Sequence, residues 1–82
     1  MFINKSSQGD NNISGKQVAY YRKLLGKSQR ELADKLQLLG MDVDKNAIQR
    51  IEAGKRFVTD IEIIFLAKAL GITVMQLLNI EK

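Results

Sequence analysis

Cysteine and histidine are absent from this chain of 82 residues. Their absence excludes a disulfide framework, the usual zinc-ligand sets and the nucleophiles and bases of Cys/His enzymes. No apolar run is long enough to cross a bilayer, because Glu62 and Lys68 interrupt the longest apolar patch, residues 61–70. The N-terminus also lacks the basic start and apolar run of a signal peptide. We therefore expect a cytoplasmic domain without a membrane segment, a metal site or a cofactor.

The chain does contain enough apolar residues for a core, together with an excess of positive charge. Apolar residues make up 45% of the sequence, which favours one small folded domain. The formal net charge is +4. The excess lies in residues 16–56, which hold ten Lys and Arg against five Asp and Glu, whereas the rest of the chain holds three against four. A basic segment of this kind favours a polyanionic partner.

Five stretches begin and end with signals typical of α-helices. Each has a potential N-cap residue, and all but the third also have the Glu or Gln of a capping box three residues later: Ser14, Ser28, Asp44, Thr59 and Thr73. The corresponding stop signals are Gly26, Gly40, Gly54, Gly71 and Asn79. Leu25 and Leu39 are expected on the inward faces of the first two helices. Because no stretch alternates as a strand does, the sequence predicts an all-α bundle of five helices over residues 14–82, after a flexible arm at residues 1–13.

The third predicted helix has two different sides. Ile48 and Ile51 lie on one side, and Asn46, Gln49 and Arg50 share the other at spacings of three and four residues. Such a helix buries its isoleucines and turns amide and guanidinium groups outward. These groups match the hydrogen-bonding edges of base pairs in the major groove, which makes duplex DNA the leading candidate partner.

Short motifs along the chain resemble those of the Xre/Cro-type helix-turn-helix family, the lambda repressor-like DNA-binding domains. The matching residues follow the order of the family's helices: Arg22, Gly26, Ser28-Gln29, Leu32-Ala33, Ile48, Ile51-Glu52, Gly54-Lys55-Arg56 and Leu66-Ala67-Lys68-Ala69-Leu70-Gly71. The resemblance covers residues 14–79. It implies a five-helix lambda repressor-like fold that binds double-stranded DNA with the helix at about residues 45–53.

The resemblance also implies a role for individual residues. The family's base-contacting positions fall at the start and on the outer side of the third helix: Lys45, Asn46, Gln49 and Arg50. Arginine suits the O6 and N7 atoms of guanine, and asparagine or glutamine suits N6 and N7 of adenine. The chemistry of these side chains therefore agrees with the positions that the family assigns to base contact.

Two further sets of residues match family positions outside the base-contacting set. Phosphate contacts fall on Gln29, Lys55 and Arg56, and Lys27 and Arg30 flank the start of the second helix, where they can join them. Arg22 and Glu52 match a pair of positions that form a largely buried salt bridge in the family. The resemblance thus implies that this pair is structural and orients the third helix.

The chain departs from the family pattern between its second and third helices. The spacing from Ala33 to Glu52 is longer than usual, and the extra residues fall at about 37–41. We therefore expect a longer second helix or a longer turn, which bears on the angle at which the third helix enters a groove.

Two hypotheses of function follow. The first is a sequence-specific DNA-binding transcriptional regulator, most simply a repressor that binds a palindromic site as a homodimer. For this hypothesis we expect one of Ile64 and Phe65 in the core and the other, with the fifth helix, in a dimer interface. The second is a protein-interaction module, such as an antitoxin or anti-regulator, that binds its partner through the leucines of the insertion. Neither hypothesis needs a small-molecule substrate, and no residue set indicates an enzyme.

Overall fold

The computed structural model describes residues 10–80 and places five helices within them. They are α1 (Gly15–Leu24), α2 (Gln29–Leu39), α3 (Lys45–Glu52), α4 (Asp60–Leu70) and α5 (Val74–Leu78). Residues 10–80 contain no β-strand, and the predicted all-α fold with five helices is confirmed. Within the same residues, no helix is long and apolar enough to cross a membrane.

Helices α2 to α5 begin at the predicted N-caps. Ser28, Thr59 and Thr73 each form a complete capping box with the residue three positions later. Asp44 accepts a hydrogen bond from the N–H of Ala47 at 2.8 Å. Each cap satisfies a backbone donor that no helical carbonyl can reach, and typically contributes about 0.5–2 kcal/mol. The cap at Asp44 therefore fixes where α3 begins, and with it which residues of α3 turn outward.

Helix α1 begins differently from the prediction. Ser14 has a helical backbone and makes no capping hydrogen bond, and its buried hydroxyl has no partner among residues 10–80. Asn12 does the capping instead, because its side-chain oxygen accepts from the N–H of Gly15 at 2.8 Å. Gln17, the expected box partner, donates to the carbonyl of Gln76 in α5 at 3.2 Å. The prediction was wrong because a capping box needs an open helix start, whereas this start packs against the end of α3.

The folded body begins before the boundary that the sequence predicts at residue 14. Residues 1–9 of the predicted flexible arm lie outside the described residues. Asn11 and Asn12 are hydrogen-bonded to the connection between α3 and α4. The end of the predicted arm that adjoins α1 is therefore held against the body.

Apolar side chains from all five helices and from the turn between α2 and α3 form one core. Its buried members are Val18, Leu32, Ala33, Leu36, Met41, Val43, Ala47, Ile48, Ile51, Leu66, Ala67, Ala69, Leu70 and Leu77. Leu25 and Leu39, expected to face inward, are 48% and 40% exposed, because each lies at the C-terminal end of its helix, where the chain turns away. Phe65 packs against the core, whereas Ile64 is 51% exposed.

The extra residues, at about 37–41, lie in the last turn of α2 and in the ordered turn that follows it. Gly40 ends α2 with a φ of 109°, a conformation that glycine adopts far more readily than other residues. Met41 and Val43 then point into the core. The side-chain amide of Gln37 donates to the carbonyl of Val43 at 2.7 Å. Two buried side chains and one hydrogen bond thus fix the turn that leads into α3.

Candidate nucleic-acid interface

The outward side of α3 is the centre of the candidate site. Helix α3 packs against α1 and α2, with Ala47, Ile48 and Ile51 buried. The residues predicted to contact bases are all exposed on the same helix: Lys45, Asn46, Gln49 and Arg50. None of their side chains is hydrogen-bonded or ion-paired to another residue between 10 and 80. Their donors and acceptors are therefore available to a ligand.

An ion pair between α1 and α3 holds the end of α3 in place. Arg22 donates through Nε to Oε2 of Glu52 at 2.6 Å and through Nη2 to Oε1 at 3.0 Å. Its Nη1 donates to the carbonyl of Lys27 at 2.8 Å. The side chains of Arg22 and Glu52 are only 11% and 9% exposed. The hydrogen bond to Glu52 raises the pKa of Arg22 above its ordinary value. The structure thus contains the buried pair that the family resemblance implies.

Gln29 extends this ion pair to α2. Its side-chain Nε2 donates to Oε1 of Glu52 at 3.0 Å. Because Gln29 is the first residue of α2 and Glu52 the last of α3, the bond holds the end of α3 to the neighbouring helix. The amide retains a second N–H, and the free backbone N–H groups at a helix start favour an anion. The predicted phosphate contact of Gln29 is therefore compatible with its bond to Glu52.

Arg56 is bound within the protein, which the sequence prediction missed. Its Nη1 and Nη2 donate to the two carboxylate oxygens of Glu62 at 3.1 and 2.8 Å, and Nη1 also donates to the carbonyl of Phe57. The hydrogen bond from Arg56 lowers the pKa of Glu62, and the same bond raises the pKa of Arg56. Only the remaining N–H donors of Arg56 are left for the predicted phosphate contact. The pair joins a loop residue to a helix residue, a relation that has no fixed spacing in sequence.

The other predicted phosphate-contacting residues lie near the two ends of α3. Arg30 is exposed in the first turn of α2 and lines a groove of about 330 Å³ together with Lys45 and Asn46 at the start of α3. Lys27 is half-buried just before α2. Lys55 is exposed directly after α3. Basic side chains thus accompany the exposed side of α3 at its beginning and at its end.

Carboxylates near the exposed side of α3 restrict where a polyanion can bind. Asp34 and Asp44 line the same groove as Arg30. Asp42 and Asp44 line a second groove of about 360 Å³ that also includes Arg50. A carboxylate repels phosphates but accepts a hydrogen bond from the amino group of cytosine. The carboxylates therefore weaken the attraction of both grooves for phosphates, whereas Lys27, Gln29 and Lys55 line neither groove.

A family model for helix-turn-helix domains, HTH_3, matches residues 18–77 of the chain. The chain belongs to the helix-turn-helix family. It is a DNA-binding transcriptional regulator, as the first hypothesis from the sequence predicts. No curated protein matches the chain significantly.

Solved structures agree with this membership. The restriction-modification controller protein C.AhdI from Aeromonas hydrophila is similar with a TM-score of 0.68 and 30% sequence identity, covering 78% of this chain and 86% of that protein. A hypothetical transcription factor, NHTF from Neisseria, is similar with a TM-score of 0.73 and 25% identity, covering 89% of this chain and 78% of that protein. In each case the similarity extends over most of both chains.

Proposed function

We propose that this helix-turn-helix protein is a cytoplasmic repressor that binds operator DNA as a homodimer and contacts base pairs with the outward side of α3. The observation that carries the proposal is the exposure of Lys45, Asn46, Gln49 and Arg50 on a helix whose other side is buried. The proposal involves no catalytic step and no cofactor. Occupation of the operator by the protein is sufficient to block transcription.

The base contacts follow from side-chain chemistry. Arg50 carries a planar guanidinium that can donate two parallel hydrogen bonds to O6 and N7 of guanine. Asn46 and Gln49 carry amides that can donate to N7 and accept from N6 of adenine. Lys45, at the first position of α3, can donate to guanine or to a nearby phosphate. A good bidentate contact gives about 1–3 kcal/mol of discrimination against the wrong base.

Phosphate contacts supply affinity without sequence preference. We assign them to Lys27, Gln29, Arg30 and Lys55. Arg56 has a lesser part because its guanidinium is bound to Glu62. Each neutralised phosphate changes the slope of log K against log salt by about 0.9. Loss of Lys55 should therefore weaken binding to all sequences by a similar factor and reduce the salt slope by about one unit.

An exposed apolar surface on α4 and α5 supports dimerisation. Ile61 and Ile64 on α4 and Met75 on α5 are each more than half exposed. Ile61 and Ile64 are three residues apart and so share one side of α4, and adjacent exposed apolar side chains favour an interface. Phe65 packs against the core, so we assign the interface to Ile64 and α5. Sedimentation velocity tests this assignment: Ile64→Asp should yield folded monomers at concentrations where the parent protein is dimeric.

The decisive experiment is selection of bound duplexes from a random pool at low salt. The parent protein should enrich a short palindromic site. Arg50→Ala should lose discrimination at one base pair in each half-site, by about 1–3 kcal/mol. Lys68→Ala removes an exposed positive charge from α4 and is the matched control, because it should retain the selected sequence.

Failure of the parent protein to enrich any sequence at low salt would contradict the proposal. An unchanged sequence preference in Arg50→Ala would contradict the role of Arg50 alone. Binding to a protein at all salt concentrations, without binding to duplex DNA, would instead favour the interaction-module hypothesis.

A further inference from the structure

Residues 10–12, which we name the N-terminal strap, lie across the end of α3. The backbone N–H of Asn11 donates to the carbonyl of Gly54 at 2.8 Å, and its side-chain amide donates to the carbonyl of Lys55 at 2.9 Å. The side-chain amide of Asn12 donates to the carbonyls of Ile51 at 3.1 Å and Arg56 at 2.7 Å. Two consecutive asparagines thus bind four carbonyls in the last turn of α3 and the loop that follows it.

Of these four carbonyls, only that of Ile51 belongs to α3, and the other three lie in the loop that follows it. At the C-terminus of α3 the N–H of Gly54 donates to the carbonyl of Ile51, and the N–H of Lys55 donates to that of Arg50. This is the hydrogen-bond pattern of a Schellman motif, which turns the chain away from the helix axis. It provides no donor for the carbonyls of Gly54, Lys55 and Arg56. The strap supplies those donors.

The strap is also closely packed where it meets the body. Asn12 caps α1 at Gly15, and a Cβ added at Gly15 would overlap the carbonyl oxygen of Ile51. A Cβ added at Gly54 would lie 2.7 Å from the carboxyl group of Asp10. The start of α1, the strap and the end of α3 therefore fit together with no room for an additional methyl group at either glycine.

We propose that Asn11 and Asn12 are positioning residues for DNA binding, which fix the loop of residues 54–56 so that Lys55 meets a phosphate. The inference rests on the proposed function. The backbone carbonyl of Lys55 accepts a hydrogen bond from Asn11. This bond holds in place the backbone from which the flexible lysine side chain extends. Without the strap, the loop has more conformations to lose when DNA binds, which weakens the contribution of Lys55.

The side chain of Asn11 agrees with a positioning role. Its Oδ1 atom is buried and has no hydrogen-bond partner among residues 10–80. A buried oxygen without a partner is unfavourable, so the side-chain oxygen of Asn11 does not explain why an amide is present at this position. The donation from the amide nitrogen to the carbonyl of Lys55 does give one.

A double-mutant cycle on binding to the selected duplex tests the inference, with affinity measured against salt concentration. Asn11→Ala removes the side-chain donation to the carbonyl of Lys55 and leaves the Asn12 cap on α1 in place. Lys55→Ala should weaken binding several-fold in the parent protein and by a smaller factor in the Asn11→Ala variant, because the loop must then be ordered when DNA binds. Lys27→Ala is the matched control, since Lys27 lies before α2, and its effect should be the same in both proteins.

Each result has a defined meaning. If Lys55→Ala has its full effect in the Asn11→Ala variant, the inference is overturned. The inference is also overturned if the effect of Lys27→Ala on binding falls to the same extent in the variant, because a general loss of structure would then explain both results. If the parent protein binds no duplex, the proposed function fails first. If Asn11→Ala does not fold, Asn11→Leu takes its place in the cycle, because leucine is similar in size to asparagine and cannot donate to the carbonyl of Lys55.

Discussion

Replacement of Glu52 by glutamine should destabilise this protein more than the same replacement at any other acidic residue between 10 and 80. Glu52 accepts hydrogen bonds from Arg22 twice and from Gln29 once. Glutamine is nearly the same size, so the packing of α3 is retained while the negative charge is lost. In the variant, the guanidinium of Arg22 remains nearly buried but no longer has a counter-charge.

The magnitude follows from the burial of the pair. Removal of one partner of a buried salt bridge costs roughly 3–5 kcal/mol, because the other charge is left uncompensated. Since glutamine retains one oxygen that can accept from Arg22, we expect a value near 3 kcal/mol. A chain of 82 residues has a total stability of roughly 4–12 kcal/mol. The variant should therefore lose a quarter or more of its free energy of unfolding.

Urea unfolding followed by circular dichroism measures this loss. With a slope of roughly 1–1.5 kcal/mol per molar urea, the midpoint should fall by about 2–3 M. Glu62→Gln is the matched control: Arg56 and Glu62 are 27% and 19% exposed, and glutamine can still complete the capping box. It should cost about 1 kcal/mol or less. A loss below about 1 kcal/mol for Glu52→Gln, or equal losses in the two variants, would refute the argument.

Three further predictions test other parts of the fold. Gly15→Ala should destabilise the protein by about 1–3 kcal/mol in urea unfolding, although alanine favours helices, because its Cβ would meet the backbone oxygen of Ile51. Since the hydrogen bond from Arg56 lowers the folded-state pKa of Glu62, this pair stabilises the protein above the unfolded pKa and loses its effect as the pH falls through the folded pKa. The stability difference between the parent protein and Glu62→Gln should therefore be largest near neutral pH and vanish in acid. Leu38→Gln should change the free energy of unfolding by less than about 0.5 kcal/mol, because Leu38 is 89% exposed.

Local patterns predicted most of the fold because the signals that start and stop these helices act over three or four residues. The Asp44 cap and the inward isoleucines Ile48 and Ile51 were sufficient to place α3 and to identify its exposed side. Arg22 and Glu52 are different. They lie 30 residues apart in sequence, and it was the family resemblance, rather than their spacing, that paired them.

The failures share a physical cause, which is contact between groups that no fixed spacing in sequence relates. Ser14 has the sequence pattern of a capping box, but the end of α3 packs beside it and Asn12 caps α1 instead. The acceptors of Asn11 and Asn12 are main-chain carbonyls, which every residue has and which leave no mark in the sequence. The pair between Arg56 and Glu62 likewise depends on how one loop enters α4.

The side of α3 that stabilises the fold is opposite to the side that we propose contacts bases. A helix of eight residues is too short to be stable alone, so its position must come from tertiary contacts. Those contacts are made by Ile48, Ile51 and Glu52 on the inward side. Gln49 and Arg50 make no hydrogen bond or ion pair with any residue between 10 and 80, so substitutions there should change stability by less than about 0.5 kcal/mol. The residues that we propose to contact bases can therefore vary without loss of the fold, so that substitutions on one side of α3 would change the DNA sequence it binds while its placement stays the same.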